Sequence, residues 1–273
     1  MKKIRIFLPI VLPLVIVVVA GFGHRSATGS RAAGAFPAFV TSTAVVPHIL
    51  SSAGFAVVEL FTSEGCSSCP PADRALAELA GEFPGGVYVL EFHVDYWNRL
   101  GWKDIYSDEG YTNRQQEYAR VFRLESIYTP EAVVNGHKEM VGSDQRQLQA
   151  SVKAELEATT NHSLGLVADA TEKKVVVQYN TKEGGILHAA LVQLTASSQI
   201  LGGENKGLHL QHINVVRNFA TVDLKNAKDP GSSESGRLEL SIPEGITAKD
   251  CKVIAFVQDH SSRIVAAEDA RIK

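Results

Sequence analysis

Two cysteines separated by two residues, Cys66 and Cys69, are the strongest chemical signal in the sequence. An apolar run from Val57 to Phe61 is typical of a buried strand, Gly65 marks a turn, and a helical pattern follows the second cysteine. The pair is therefore predicted to lie at a helix N-terminus, where free backbone N–H groups and the helix dipole favour a thiolate. The thiolate attacks in disulfide exchange, and we interpret Cys66 as the attacking thiol because it is expected to lie nearer the free N–H groups of the helix, with Cys69 as the resolving thiol. Cys66 is also expected to be the more exposed of the two.

Two other interpretations of the cysteine pair stay open, a structural disulfide and part of a metal site. A structural zinc site takes four nitrogen or sulfur ligands, and the only other cysteine is the distant Cys251. A copper site could be built from the two thiolates and a histidine such as His93, because soft thiolates suit Cu(I). Cys251 precedes an apolar, strand-like run, which predicts a buried and inert thiol.

Two segments resemble the thioredoxin superfamily. The apolar strand followed by Cys66 to Pro70 is similar to the active-site segment of that superfamily, and Tyr128 to Gly136 is similar to its cis-proline loop. The resemblance implies a cis Thr129–Pro130 bond that faces the cysteines, and proline is the residue before which a cis bond costs little. The alternative is an ordinary trans proline that opens a strand.

A narrower resemblance is to the DUF1223 family of secreted, thioredoxin-like proteins of unknown function. It is carried by the segments Phe92 to Trp97, Leu100 to Asp104 and Gly202 to Asn205. The resemblance extends from about Phe55 to the C-terminus. It implies a fold and leaves the activity open.

Further candidate site residues follow from the thioredoxin resemblance. Glu59 lies in the strand where the superfamily often carries a buried acid that assists the resolving thiol, with one additional residue before the first cysteine. The alternative is an acid satisfied by the backbone or by a lysine at the strand edge. Pro130 is placed with the catalytic residues, and Thr129 is expected to hold an extended substrate peptide by strand addition.

Polar and aromatic residues follow the second predicted strand, on the same side of the sheet as the cysteines. His93, Asp95 and Trp97 are therefore candidates for a substrate-binding wall. The alternative is that Trp97 anchors the core and that His93 is a satisfied residue of the sheet. Glu204 and Asn205 are expected to form either a binding loop or a simple turn.

The N-terminal region predicts export. Residues 1–35 begin with a basic segment and continue into an apolar stretch, which is typical of a signal peptide or of an uncleaved membrane anchor. Residues 36–53 are expected to form a linker. Either interpretation places the folded part in a periplasmic or secreted environment, where disulfides persist.

The remaining sequence predicts two domains. Residues 54–160 alternate between strand and helix and end in a hairpin and a helix with Ser143 as its N-cap, which favours an α/β thioredoxin-like domain. Residues 161–273 show a period of two between turn residues, which favours a small all-β sandwich-like domain. A formal net charge of −3 gives no electrostatic reason to expect nucleic-acid binding.

The leading hypothesis is an exported thiol–disulfide exchange protein that uses Cys66 and Cys69 without a cofactor or metal. Its partners would be thiols or disulfides of exported proteins, or a redox partner protein. One alternative is a copper-binding or metallochaperone module. Another is a non-catalytic envelope interaction protein whose cysteines form a structural disulfide.

Overall fold

The computed structural model describes residues 50–51, 53–83, 85–224 and 233–273, and the structural statements that follow concern these residues. They form a mixed α/β fold with few helices and a large sheet. The helices are α1 (Pro70–Glu82), α2 (Glu109–Phe122) and α3 (Gln145–Glu157). The strands are β1 (Leu50–Ser51), β2 (Ala56–Thr62), β3 (Val87–His93), β4 (Glu131–Val134), β5 (Lys138–Val141), β6 (His162–Ala170), β7 (Lys174–Thr181), β8 (Gly185–Gln199), β9 (His209–Leu224), β10 (Glu234–Ser241), β11 (Cys251–Gln258) and β12 (Ile264–Arg271).

An eight-stranded sheet, in the order β12-β11-β8-β9-β3-β2-β4-β5, forms the centre of the fold. β2 and β3 are parallel, whereas β2 and β4 are antiparallel. Two parallel strands require a crossover connection, and α1 supplies it. The segment between β2 and α1 therefore lies at the edge of the sheet where β2 ends.

Helices cover both faces of the sheet around β2. Val57 and Phe61 of this strand pack against α2, whereas Val58 and Leu60 pack against α1 and α3. This division is expected because successive side chains of a strand point to opposite faces. Burial on both faces also explains why β2 is a continuous apolar run, as the sequence indicated.

The second half of the chain continues the same sheet. β9 lies beside β3 through the pairing of Glu91 with Val215, and β8, β11 and β12 follow in order. A second sheet, in the order β1-β6-β7-β10, packs face to face with β8 and β11, where Leu166 and Tyr179 share a core with Leu191. The predicted short-period strands are present. The expected sandwich separate from the α/β region is not confirmed, because strands from both regions form one sheet.

Some predictions from the sequence differ from the structure, and others concern residues outside the described ranges. The N-cap of α3 is Asp144 rather than Ser143, since Oδ1 of Asp144 accepts the backbone N–H of Gln147 at 3.1 Å. The predicted signal peptide or anchor, most of the linker at 36–53 and the loop residues 225–232 lie outside the described residues. Within the described ranges no helix is long and apolar enough to cross a membrane. The boundary predicted near residue 160 falls between α3 and β6 and stays a prediction.

Candidate functional site

Cys66 and Cys69 lie between β2 and α1 and are joined in a disulfide bond. Cys69 is the N-cap of α1, and its carbonyl oxygen accepts the backbone N–H groups of Ala72 and Asp73 at 2.8 and 3.1 Å. The predicted position at a helix N-terminus is therefore confirmed. Both cysteines have 0 % of their surface exposed, so the expectation that Cys66 is the more exposed is wrong.

The Thr129–Pro130 peptide bond is cis, as predicted, and Thr129 lies beside the disulfide. The Sγ atom of Cys66 is 3.9 Å from the carbonyl oxygen of Thr129, and the hydroxyl of Ser68 donates to the same oxygen at 3.4 Å. The indole N–H of Trp97 donates to Oγ1 of Thr129 at 2.8 Å. Trp97 and the Thr129–Pro130 segment are thus brought together at the cysteine turn.

The loop between β8 and β9, residues 200–208, also contacts the cysteine turn, and we call it the capping loop. Oε2 of Glu204 accepts hydrogen bonds from the backbone N–H and the hydroxyl of Ser67 at 3.1 and 2.7 Å. These bonds hold the pKa of the Glu204 carboxyl below its usual value. At Gly202 the chain passes so close to Gly101 that a Cβ atom would lie 2.3 Å from the Gly101 carbonyl oxygen. The sequence predicted that Glu204 and Asn205 form a binding loop or a turn, but it did not predict their contact with the cysteine turn.

Asn205 fixes the capping loop to the cysteine turn. Its buried side chain donates through Nδ2 to the carbonyl oxygens of Glu64 and Cys66, at 2.9 Å each. Asn205→Ala removes both hydrogen bonds, so the loop should open more often and expose the disulfide. Two lost bonds of about 1 kcal/mol each correspond to an increase of about 30-fold in the rate of reduction by dithiothreitol, measured by thiol alkylation and mass spectrometry. The exposed Lys206→Ala on the same loop is the matched control, and an unchanged rate in Asn205→Ala would contradict the capping role.

Glu59 lies on the face of β2 that α2 covers. Its carboxylate forms a buried ion pair with Arg114, with Oε1 accepting from Nη2 at 2.9 Å, and it also accepts the hydroxyl of Tyr118. Burial alone would lower the pKa of Arg114, but the Glu59 carboxylate raises it above its usual value. The structure thus satisfies Glu59 with an arginine and a tyrosine, in place of the backbone or lysine partner considered from the sequence. Assistance to the resolving thiol stays a prediction.

His93 lies in a buried group of acids and histidines, which we call the acid–histidine cluster. Its members are Glu64, Asp73, Glu91, His93, Asp104 and His212. Nδ1 of His93 is 2.7 Å from Oδ2 of Asp104, and Nδ1 of His212 is 3.3 Å from Oε2 of Glu91. The cluster is joined to the cysteine turn through Glu64, whose backbone N–H donates to Oδ2 of Asp104 at 2.9 Å.

Protonation inside the cluster is shifted far from ordinary values. Burial alone would lower the pKa of His93, but the Asp104 carboxylate raises it to about 9. Burial alone would also lower the pKa of His212, but the carboxylates of Glu64 and Glu91 raise it to about 11. Burial and the charge of Glu91 raise the pKa of Asp73 to about 7. Groups with such shifts are concentrated at functional sites, which directs attention to this cluster.

Asp95 has its partner at the start of α2. Its Oδ1 accepts the hydroxyl of Thr112 at 2.6 Å, and its backbone N–H donates to Oγ1 of Thr112 at 3.2 Å. Of the four predicted substrate-binding residues, the structure therefore brings Thr129 and Trp97 to the disulfide. It places His93 in the acid–histidine cluster and Asp95 against α2.

Cys251 is a free, buried thiol at the start of β11. Burial raises its pKa to about 11, so little thiolate is present near neutral pH. The sequence-based expectation of a buried third cysteine is confirmed.

The fold and the site define a mixed α/β protein with a disulfide at the start of its first described helix. Residues 57–258 match the family described as proteins of unknown function, DUF1223, and the chain belongs to this family. This confirms the resemblance to DUF1223 found in the sequence.

Solved structures that share the fold include the following two. The crystal structure of protein AGR_C_4864 from Agrobacterium tumefaciens is 26 % identical, with a TM-score of 0.59, over 80 % of this chain and 95 % of the other. HBP35 of Porphyromonas gingivalis is 17 % identical, with a TM-score of 0.52, over 81 % of this chain and 76 % of the other, and it shows similarity of fold alone. No curated protein matches the chain.

Proposed function

We propose that this protein exchanges disulfides with thiols of exported proteins through Cys66 and Cys69. The observation that carries the proposal is the disulfide at the N-terminus of α1 with the Thr129 carbonyl oxygen 3.9 Å from Sγ of Cys66. A helix N-terminus stabilises the thiolate that is released when the disulfide opens. The neighbouring Thr129 backbone is suited to hold the extended chain of a substrate beside the sulfur.

The exchange transfers two electrons and two protons. A substrate thiolate attacks Sγ of Cys66, the S–S bond breaks, and Cys69 leaves as a thiolate that takes up a proton. A second substrate thiol then attacks the mixed disulfide, so the substrate leaves oxidised and both cysteines are reduced. The reverse sequence reduces a substrate disulfide, with Cys66 attacking and Cys69 resolving.

The order of elements supports membership of the thioredoxin-like superfamily as part of the same proposal. β2, α1 and β3 form a parallel unit, and α2, the hairpin of β4 and β5, and α3 follow. The cis Thr129–Pro130 bond immediately precedes β4. The strands after residue 161 would then form an all-β region that adds a partner surface.

We further propose that the protein acts in the periplasm or is secreted, with an N-terminal segment that is either cleaved or retained as an anchor. Support comes from the basic start and apolar stretch within residues 1–35. A substrate in that compartment carries disulfides that need to form or exchange.

The reduction potential of the Cys66–Cys69 pair tests the proposal. The full-length chain is equilibrated with mixtures of reduced and oxidised glutathione, and free thiols are counted. A potential between about −100 and −280 mV would support an exchange function. The Cys66→Ser/Cys69→Ser double variant provides the baseline, because the sequence has three cysteines and only Cys251 then contributes a thiol.

One observation favours a second candidate, a non-catalytic interaction protein with a structural disulfide. Both cysteines are fully buried, and the capping loop covers the turn that carries them. A pair that stays oxidised below about −300 mV would support this candidate and exclude the exchange function.

A further inference from the structure

Three buried side-chain atoms in the acid–histidine cluster lie near one another and have no hydrogen-bond partner among the described residues. They are Oε2 of Glu91, Nε2 of His93 and Nδ1 of His212. All three residues are buried, and one potential ligand atom from each lies within 4.8 Å of those of the other two. Buried polar atoms without partners cost free energy, so their convergence calls for a ligand that would satisfy them together.

The spacing of these atoms suits a metal ion. Oε2 of Glu91 is 3.7 Å from Nε2 of His93 and 3.3 Å from Nδ1 of His212. Zinc binds imidazole nitrogen and carboxylate oxygen at about 2.0–2.2 Å, which places tetrahedral ligand atoms about 3.4 Å apart. The two separations from Glu91 therefore need adjustments of only a few tenths of an ångström, whereas the histidine nitrogens, which lie within 4.8 Å of each other, would have to move closer by up to about 1.4 Å.

A carboxylate fixes the tautomer of His93 that a metal requires. With Asp104 accepting the Nδ1–H of His93 at 2.7 Å, Nε2 is the nitrogen that lies 3.7 Å from Oε2 of Glu91, and a metal ion would bind Nε2 in place of a proton. Asp104 is itself held by the backbone N–H groups of Glu64 and Tyr106, both at 2.9 Å. A carboxylate behind a coordinating histidine orients the ring and increases its basicity, and this arrangement recurs around protein metal sites.

We propose that Glu91, His93 and His212 bind a divalent transition-metal ion of the Zn²⁺ class. Asp73 supplies a fourth donor, because its Oδ2 lies 3.8 Å from Nδ1 of His212 while Thr62 holds the other oxygen at 2.7 Å.

The site lies beside a cleft and is independent of the disulfide. His212 and Tyr106 form part of the lining of a cleft of about 530 Å³, but the side chain of His212 is fully buried, so an ion reaches the ligand atoms from the cleft only when His212 moves. Cys66 and Cys69 are joined to each other and offer no thiolate in this state. The site therefore differs from the copper site of two thiolates and a histidine considered from the sequence, and it goes beyond the proposed exchange function.

Cobalt titration of the full-length chain tests the site. The purified chain is treated with EDTA, dialysed and titrated with Co²⁺, whose visible absorption reports coordination by nitrogen and oxygen. We expect one Co²⁺ per chain, displaced by one Zn²⁺. His93→Gln and His212→Gln should abolish the absorption, and Asp104→Asn should weaken binding by about 10- to 100-fold.

Two controls separate this proposal from its rivals. His188→Gln removes a buried histidine that contacts Thr221 and Gln258 outside the cluster, and it should bind cobalt like the unaltered chain. The Cys66→Ser/Cys69→Ser variant should also bind normally, whatever the exchange assay shows. Binding lost in that variant, or retained in His93→Gln, or absent from the unaltered chain, would overturn the proposal. If His212→Gln does not fold by circular dichroism, Asp104→Asn decides, because normal affinity in that variant counts against the site.

Discussion

Arg114→Met should lower the free energy of unfolding by about 3–5 kcal/mol, because it leaves the carboxylate of Glu59 buried without a counter-charge. The Glu59 side chain is 0 % exposed and the Arg114 side chain 6 %. The guanidinium also lies 5.1 Å from the ring centroid of Tyr118 and 5.3 Å from that of Phe256, so packing is lost together with the charge. Equilibrium unfolding in urea, followed by circular dichroism, measures the change.

Matched variants separate the charge from the loss of a long side chain. Arg120→Met changes an exposed arginine on the same helix and should alter stability by no more than about 0.5 kcal/mol. Glu59→Met combined with Arg114→Met should be less destabilising than Arg114→Met alone, because no uncompensated carboxylate remains. Equal destabilisation by the single and double variants would show that Glu59 is not held as a buried anion.

A further variant, Glu59→Gln, tests the role that the sequence suggested for Glu59. An acid that assists the resolving thiol needs an oxygen free to exchange a proton with sulfur, yet both oxygens of Glu59 have partners on α2. We therefore expect Glu59→Gln to lower the free energy of unfolding. The pH dependence of cysteine reactivity should change little. A large shift in that pH profile would return Glu59 to the catalytic group.

Local patterns in the sequence predicted the elements around the cysteines. The apolar run of Val57 to Phe61 lies within β2, and the helix predicted from Pro70 begins at that residue as α1. These elements depend on burial, on turn residues and on helix-end preferences, all of which act over a few residues. The pairing of β9 with β3 joins segments more than a hundred residues apart, and strand order of that kind has no local signal.

The residues of the candidate site also divide into those that the sequence could predict and those that it could not. Cys66, Cys69 and the cis Thr129–Pro130 bond could be predicted, because each carries a short motif. His212 could not, since the partner that it meets, Glu91, lies on a strand far away in the sequence. The sequence contained one indication of the acid–histidine cluster. Glu91 and His93 are two residues apart on an otherwise apolar strand, so their side chains share a face. Two polar residues on one buried face require partners there.

Cys69→Ser should convert the proposed exchange protein into a trap. Without the resolving thiol, Cys66 can attack a substrate disulfide but the mixed disulfide cannot be released intramolecularly. We expect mixed disulfides to accumulate in cells that express the full-length Cys69→Ser chain, as bands on non-reducing gels that disappear on reduction. Cys66→Ser should form none of them, and catalysed exchange should fall to the uncatalysed rate in both variants.

Cys251→Ser is the matched control, because Cys251 is buried in β11, has a raised pKa and should contribute nothing to trapping. Mixed disulfides that persist in Cys66→Ser, or that require Cys251, would exclude the proposed attacking role of Cys66. The capping loop makes the test more stringent, since Asn205 must release the cysteine turn before a substrate can reach the sulfur. Asn205→Ala combined with Cys69→Ser should therefore trap faster than Cys69→Ser alone, whereas a structural disulfide would trap in neither background.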